Sequence, residues 1–378
     1  MSSAAAATWV EIDLAALEHN VHEVARLAAD RRVIAAIKAN GYGCGAVGVA
    51  RALERSGVYG LWTGNIEEAV AARQAGVTAK IIMFGGPLPE QFDQLVEHDL
   101  IPTVYDRPGV AAAVEVARRR DRVVPVYLKV DCGLRRLGVH VSEAHDLAHA
   151  INAEPGVHLE GVYTHLPFGD EDGRDWAREE SAAFTGLIDG LALDGIRPEI
   201  TQIWGSSGLL AGLPDPTNAV CVGQLLYGLT PLPAELASAG RFAPVIAGLN
   251  ARLIHIGRHP VGGEGTTNPY MFGCAERTGV IALGTAEGMR APAEGQQMHV
   301  LVRGRRAPII GTSLEHVVVD LDGIDDADLG DEVVLIGKSG AHTVSLEDWA
   351  AWFGCSPLEV AVTLLGRIAK RYKGAEDR

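Results

Sequence analysis

Lys38 sits where an apolar run meets a glycine-rich turn, in Val33-Ile34-Ala35-Ala36-Ile37-Lys38-Ala39-Asn40-Gly41-Tyr42-Gly43. A strand this apolar is buried, so a lysine at its C-terminal end is partly desolvated. Desolvation lowers the amine pKa and suits it to imine formation with an aldehyde. A lysine in isolation more often snorkels out of such a loop, and the reading therefore depends on what else shares its position. Four further polar clusters follow other apolar runs: Lys129-Val130-Asp131-Cys132-Gly133-Leu134-Arg135-Arg136, Thr164-His165, Gly205-Ser206-Ser207-Gly208 and Cys221-Val222-Gly223-Gln224. The last two are small and glycine- or hydroxyl-rich, so their backbone N–H groups can approach an anion. A reactive lysine facing an anion grip suits a phosphorylated aldehyde, pyridoxal phosphate, held at both ends. His165 could flank a flat ring, and Arg136 could hydrogen-bond a phenolate or a substrate carboxylate. Lys129 lies within a buried run and needs neutralisation, deprotonation or covalent modification, because an unpaired buried charge costs on the order of several kcal/mol.

The elements that must position these groups are legible as a pattern. Eight apolar runs of strand length recur: Val33–Ile37, Tyr59–Thr63, Lys80–Phe84, Ile101–Val104, Val124–Val130, Leu159–His165, Ile200–Trp204 and Ala219–Val222. Helix-period stretches alternate with them, among them Val47–Ser56, Ile66–Ala75, Pro108–Arg119, Ser142–Asn152 and Trp176–Leu193. The fold class is α/β, a (β/α)8 barrel, and each polar cluster falls at the C-terminal end of a strand, where barrels place their chemistry. From about Ala243 the helix period gives way to closely spaced strands, Met298–Val302, Ala307–Ile310, Val317–Leu321 and Glu332–Ile336, with helices over Leu346–Phe353 and Pro357–Lys370. The expected division is a cofactor-binding barrel over 13–240 and a mainly β domain over 241–378, with the opening strand Thr8–Ile12 joining the second.

Composition limits the function classes. A formal charge of −15 opposes nucleic acid and anionic lipid, both of which call for dense Lys and Arg. No apolar stretch is long enough for a bilayer, and Met1-Ser2-Ser3 with its alanine run lacks the regions of a signal peptide, so a cytoplasmic location is expected. Cys44, Cys132, Cys221, Cys274 and Cys355 are odd in number and contain no CxxC pair, which argues against a disulfide framework or zinc knuckle; no metal set is assigned.

The chain resembles the alanine racemase family, the pyridoxal-phosphate enzymes of fold type III, nearly end to end. The resemblance is carried by Thr8-Trp9-Val10-Glu11-Ile12-Asp13-Leu14 with Asn20, by Ile37-Lys38-Ala39-Asn40-Gly41-Tyr42-Gly43, and by Lys129-Val130-Asp131-Cys132-Gly133 through Arg136-Leu137-Gly138. Thr164-His165, Leu226-Tyr227-Gly228-Leu229, Arg306-Ala307-Pro308-Ile309-Ile310-Gly311 and Gly330-Asp331-Glu332-Val333-Val334-Leu335-Ile336-Gly337 extend it. It implies that Lys38 forms the imine with pyridoxal 5'-phosphate and serves as one catalytic base. Tyr42 and Ser206, with the Gly223 and Gln224 backbone, would hold the phosphate. Lys129 would be carbamylated and orient Arg136, and His165 would flank the ring. A head-to-tail homodimer is implied, with each pocket completed by the partner's second domain.

Departures fall on catalytic positions. Cys221 stands where the family places an arginine beside the pyridine nitrogen. Asn268 stands at the position of the opposing tyrosine base, and Tyr270, two residues on, is the expected substitute. Gly284-Thr285-Ala286-Glu287-Gly288, Ser313-Leu314-Glu315 and Gly366 replace further pocket motifs. The function expected is a pyridoxal-phosphate isomerase acting at the Cα of an amino acid, a racemase with a non-standard second base. A one-base decarboxylase, lyase or aldolase, and a catalytically silent cofactor- or ligand-binding homologue, remain the alternatives.

Overall fold

The computed structural model describes residues 6–237, 240–259 and 275–374. Its α-carbon contacts separate two units. One holds residues 16–41 and 46–243, and the other holds the N-terminus to Ala15, Tyr42–Gly45 and the chain from Pro244.

The first unit is a closed parallel barrel of eight strands: Arg32–Ala36, Gly60–Thr63, Lys80–Met83, Leu100–Val104, Val124–Asp131, Val157–Tyr163, Ile200–Gln202 and Ala219–Val222. Leu100–Val104 pairs with Val124–Asp131 through Thr103 and Tyr127. At the seam between first and last strands, Val33 pairs with Val220 and Ile34 with Cys221, which closes the ring. The strands are rich in Val, Ile and Leu because both faces are covered; Ile34, Leu61, Ile81, Ile82, Val126 and Val220 have no exposed surface. Helices over Ala46–Arg55, Ile66–Gln74, Arg107–Arg120, Val141–Asn152 and Glu171–Leu193 lie between them. Their starts are set locally: Asn65, Asp106 and Asp170 cap three of them by accepting the N–H groups of Glu68, Gly109 and Gly173.

The barrel carries a few satisfied polar groups. Lys80 pairs with Glu160 (3.0 Å) and hydrogen-bonds the Tyr59 hydroxyl (3.0 Å), while the Tyr127 hydroxyl donates to Glu160 (3.2 Å). The Tyr127 ring lies against Gly161 so closely that a Cβ there would stand 2.3 Å from it, which is why this strand position takes glycine. Nearer the C-terminal ends, Tyr163 makes an edge contact with Trp62 (centroids 4.5 Å apart) and shares a hydrogen bond with Thr103.

The second unit is mainly β. Thr8–Asp13 lies between an antiparallel neighbour, Ile246–Arg258, and a parallel one, Ala369–Lys373. Ile246–Arg258, Arg277–Ile281, Val317–Asp320, Arg305–Thr312, His299–Val302 and Glu332–Ser339 follow one another around a ring, because the last of these pairs back onto the first. The expected helix over Pro357–Lys370 is shorter, Pro357–Leu364, and the chain then turns through Gly366 into the strand Ala369–Lys373. Strand pairing with Thr8–Asp13 overrides the helical period of that stretch. No helix among the described residues is long and apolar enough to cross a membrane.

Candidate active site

The first barrel strand delivers Lys38 to the start of a left-handed turn. Ala39, Asn40, Gly41 and Tyr42 have φ of 53°, 53°, 61° and 54°. Three of these are not glycine, and each such residue costs on the order of 1–2 kcal/mol. The turn is held by polar anchors. Glu68 accepts the Asn40 backbone N–H (2.6 Å) and the Thr63 hydroxyl (3.0 Å), and Asn40 Oδ1 accepts the Ala46 N–H (2.9 Å). Burial, followed by the nearby Arg136 cation, lowers the Lys38 pKa, with Cys221 acting against them. Its ammonium nitrogen lies 5.5 Å from the Phe84 ring centroid.

Lys129, on the fifth strand, is 5% exposed and points over the Tyr163 ring at 4.6 Å. Burial and then Arg136 push its pKa down to about 8. Among the described residues neither Lys129 nor Arg136 has a carboxylate at ion-pair distance. His165 is driven down to about 3 by burial first and by Lys129, Lys38 and Arg136 after it, so its ring is neutral at physiological pH. The Cys221 thiol is pushed up to about 12 by burial, against the pull of the two lysines, and stays protonated. Lys38, Lys129, Arg136, His165 and Cys221 therefore share one site, each within electrostatic reach of others.

The loops after the seventh and eighth strands close on one another. Ser206 Oγ accepts the Gly223 N–H (3.2 Å), and Cys221 N–H donates to Trp204 O (3.1 Å). Gly205 lies close against its neighbours, since a Cβ would stand 3.3 Å from Cys221 O and 3.5 Å from the His165 ring. Gln224 opens a short 3-10 turn whose last residue, Tyr227, donates its hydroxyl to Ala36 O (2.9 Å), two residues before Lys38.

A cationic region formed by two lysines and an arginine, beside a small-residue cradle and a neutral imidazole, fits a flat ligand bearing a phosphate and a ring oxygen. The whole chain then finds its relatives. The family model for the alanine racemase N-terminal domain matches residues 12–231, and that for the C-terminal domain matches 247–372. The chain belongs to the alanine racemase family. Its fold is the family's, and with it come pyridoxal 5'-phosphate as cofactor and the class of pyridoxal-phosphate-dependent isomerase. The chain is 31% identical to the alanine racemase of Halothermothrix orenii, over 97% of each chain. The alanine racemase structure of Clostridium difficile 630 superposes with a TM-score of 0.86 at 26% identity, covering 97% of this chain and 96% of that one. The alanine racemase of D-cycloserine-producing Streptomyces lavendulae superposes with a TM-score of 0.82 at 29% identity, over 98% of each chain.

Tyr42 is buried and groups with the second unit, where the Tyr372 hydroxyl donates to Cys44 O (3.1 Å). Asn268 and Tyr270 lie outside the described residues. Glu68, Thr63 and Tyr227 are site-supporting residues that the sequence reading did not single out as such. For Glu68 the only local signal was its place in the first turn of a helix, which every capping carboxylate shares.

Proposed function

We propose that the protein is an amino-acid racemase in which Lys38 exchanges the Cα proton on one face of the substrate and Tyr270 does so on the other. The observation that carries the reading is the half-buried Lys38, its pKa lowered by desolvation and Arg136, at the start of a turn held by Glu68. When bound, pyridoxal phosphate supplies the electron sink that acidifies the Cα proton. A lysine of lowered pKa offers a neutral amine nearer to physiological pH, which is what a proton acceptor needs.

The other residues bind and orient. Ser206 and the Gly223 and Gln224 backbone would hold the phosphate together with Tyr42, Arg136 would hold the ring oxygen, and neutral His165 would wall the ring. Lys129 is carbamylated: its neutral amine adds to CO2, releases a proton and becomes an anion, which relieves the crowding with Arg136. Cys221, a neutral thiol, would face the ring nitrogen. Alanine is the first substrate to try, since the named relatives are alanine racemases. The functional unit is a homodimer in which the partner's second domain completes each pocket.

The protonated Cys221 thiol favours a second reading, a one-base decarboxylase, lyase or aldolase, because the ring nitrogen then has no fixed cation beside it. One experiment separates the two. In D2O the enzyme is expected to invert its preferred amino acid with incorporation of deuterium at Cα, and Tyr270→Phe is expected to slow inversion by about 100-fold while sparing exchange with retention. Inversion untouched by Tyr270→Phe removes the tyrosine from the mechanism. Release of CO2 or an aldehyde without inversion selects the one-base reading.

A further inference from the structure

The outer helix Val141–Asn152 carries His145 and His149, whose spacing of four residues puts both imidazoles on one face. The helix Glu171–Leu193 packs beside it and ends at its C-cap, Asp194. His145 Nε2 lies 3.0 Å and His149 Nε2 2.8 Å from the same atom, Asp194 Oδ2. The two rings are 4.8 Å apart between centroids and inclined at 51°. One ligand atom from each of the three residues falls within 4.8 Å of the other two.

We propose that His145, His149 and Asp194 form a surface site for a divalent transition-metal ion of the zinc, nickel or copper class. Two imidazole nitrogens and one carboxylate oxygen are the donor set that such ions take, whereas calcium and magnesium call for oxygen ligands. All three ligand atoms already converge, so an ion about 2.0–2.1 Å from each nitrogen replaces the contacts to Asp194 Oδ2 with small side-chain shifts. The three side chains are 40–45% exposed, which leaves the remaining coordination positions to water. Bound there, the ion ties one helix to the end of its neighbour and acts as a structural clamp on the outer layer of the barrel. None of the three residues belongs to the site around Lys38.

The test uses tag-free holoenzyme stripped with a chelator and titrated with zinc or cobalt chloride, read by equilibrium dialysis and thermal melting. The expected result is one bound equivalent per chain that is lost in His145→Ala/His149→Ala and weakened at least tenfold in Asp194→Asn. At a hundredfold excess of zinc over Kd the wild-type melting temperature rises by roughly 3–5 °C, and the double variant's does not. Magnesium is expected to do neither. Metal bound equally by wild type and double variant, or no bound equivalent at tenfold excess of zinc over protein, overturns the proposal and leaves the trio as two histidine–aspartate contacts.

Discussion

Glu68 Oε1 accepts the backbone N–H of Asn40 at 2.6 Å, so a carboxylate from the helix after the second barrel strand holds the left-handed turn that begins beside Lys38. The same side chain takes the Thr63 hydroxyl with its other oxygen. A strained loop conformation persists only where the surroundings over-determine it, and here the restraint comes from 28 residues away in the chain.

Removing that restraint is expected to loosen the lysine before it harms the barrel. Glu68→Ala leaves the Asn40 N–H without its partner, at a cost of about 1–3 kcal/mol, and Glu68→Gln keeps an acceptor and most of the stability. Urea denaturation measures the first effect. Titration with pyridoxal phosphate measures the second, an affinity drop of about tenfold in Glu68→Ala. Wild-type cofactor affinity in Glu68→Ala would show that the turn does not need its anchor.

Lys38 is expected to be the point of covalent attachment. Borohydride should fix pyridoxal phosphate on the peptide that contains Lys38, and Lys38→Ala should retain none of the fixed label after denaturation. Label on a peptide containing Lys129 instead would move the reactive amine to the fifth strand.

Lys129 and His165 leave marks of the same sign on stability against pH, in two separate windows. Lys129 has a native pKa of about 8 against an ordinary 10.5. Below pH 8 both states are protonated and the burial penalty is fully present. Between 8 and 10.5 the unfolded chain holds more protons, so stability climbs with pH, by on the order of 3 kcal/mol in total. In CO2-free buffer without cofactor, Lys129→Met should lose that rise. His165, at about 3 against 6.5, should destabilise the native state as pH falls from 6.5 toward 3, and His165→Gln should flatten that limb. Parallel wild-type and variant curves in either window would refute the corresponding assignment.

The proposed homodimer makes a complementation forecast. Lys38→Ala and Tyr270→Phe chains, each impaired alone, should regain part of the activity when mixed and re-equilibrated, because half the heterodimer's pockets then carry both intact residues. A fully active monomer by sedimentation rules this out.

The barrel strands were readable because they are buried on both faces and appear as unbroken Val- and Ile-rich runs between helix-period stretches; each lies within two residues of its expected ends. The polar clusters were readable for a related reason: parallel strands all point their C-terminal ends to one rim, so order along the chain alone places Lys38, Arg136, His165, Ser206 and Cys221 together. The β unit was harder. Ile246–Arg258 runs through bulges that break its alternation, and Ala369–Lys373 becomes a strand only through Thr8–Asp13, more than 350 residues earlier. Such pairing is non-local and leaves little trace in a local pattern. The same holds for charge. Sequence alone determined which ionisable groups follow the barrel strands, but the pKa of each, lowered at Lys38, Lys129 and His165 and raised at Cys221, depends on how deeply packing buries it and which charged group stands beside it. Only the tertiary structure sets those distances, and only it brings Glu68 to Asn40 and both histidines to Asp194.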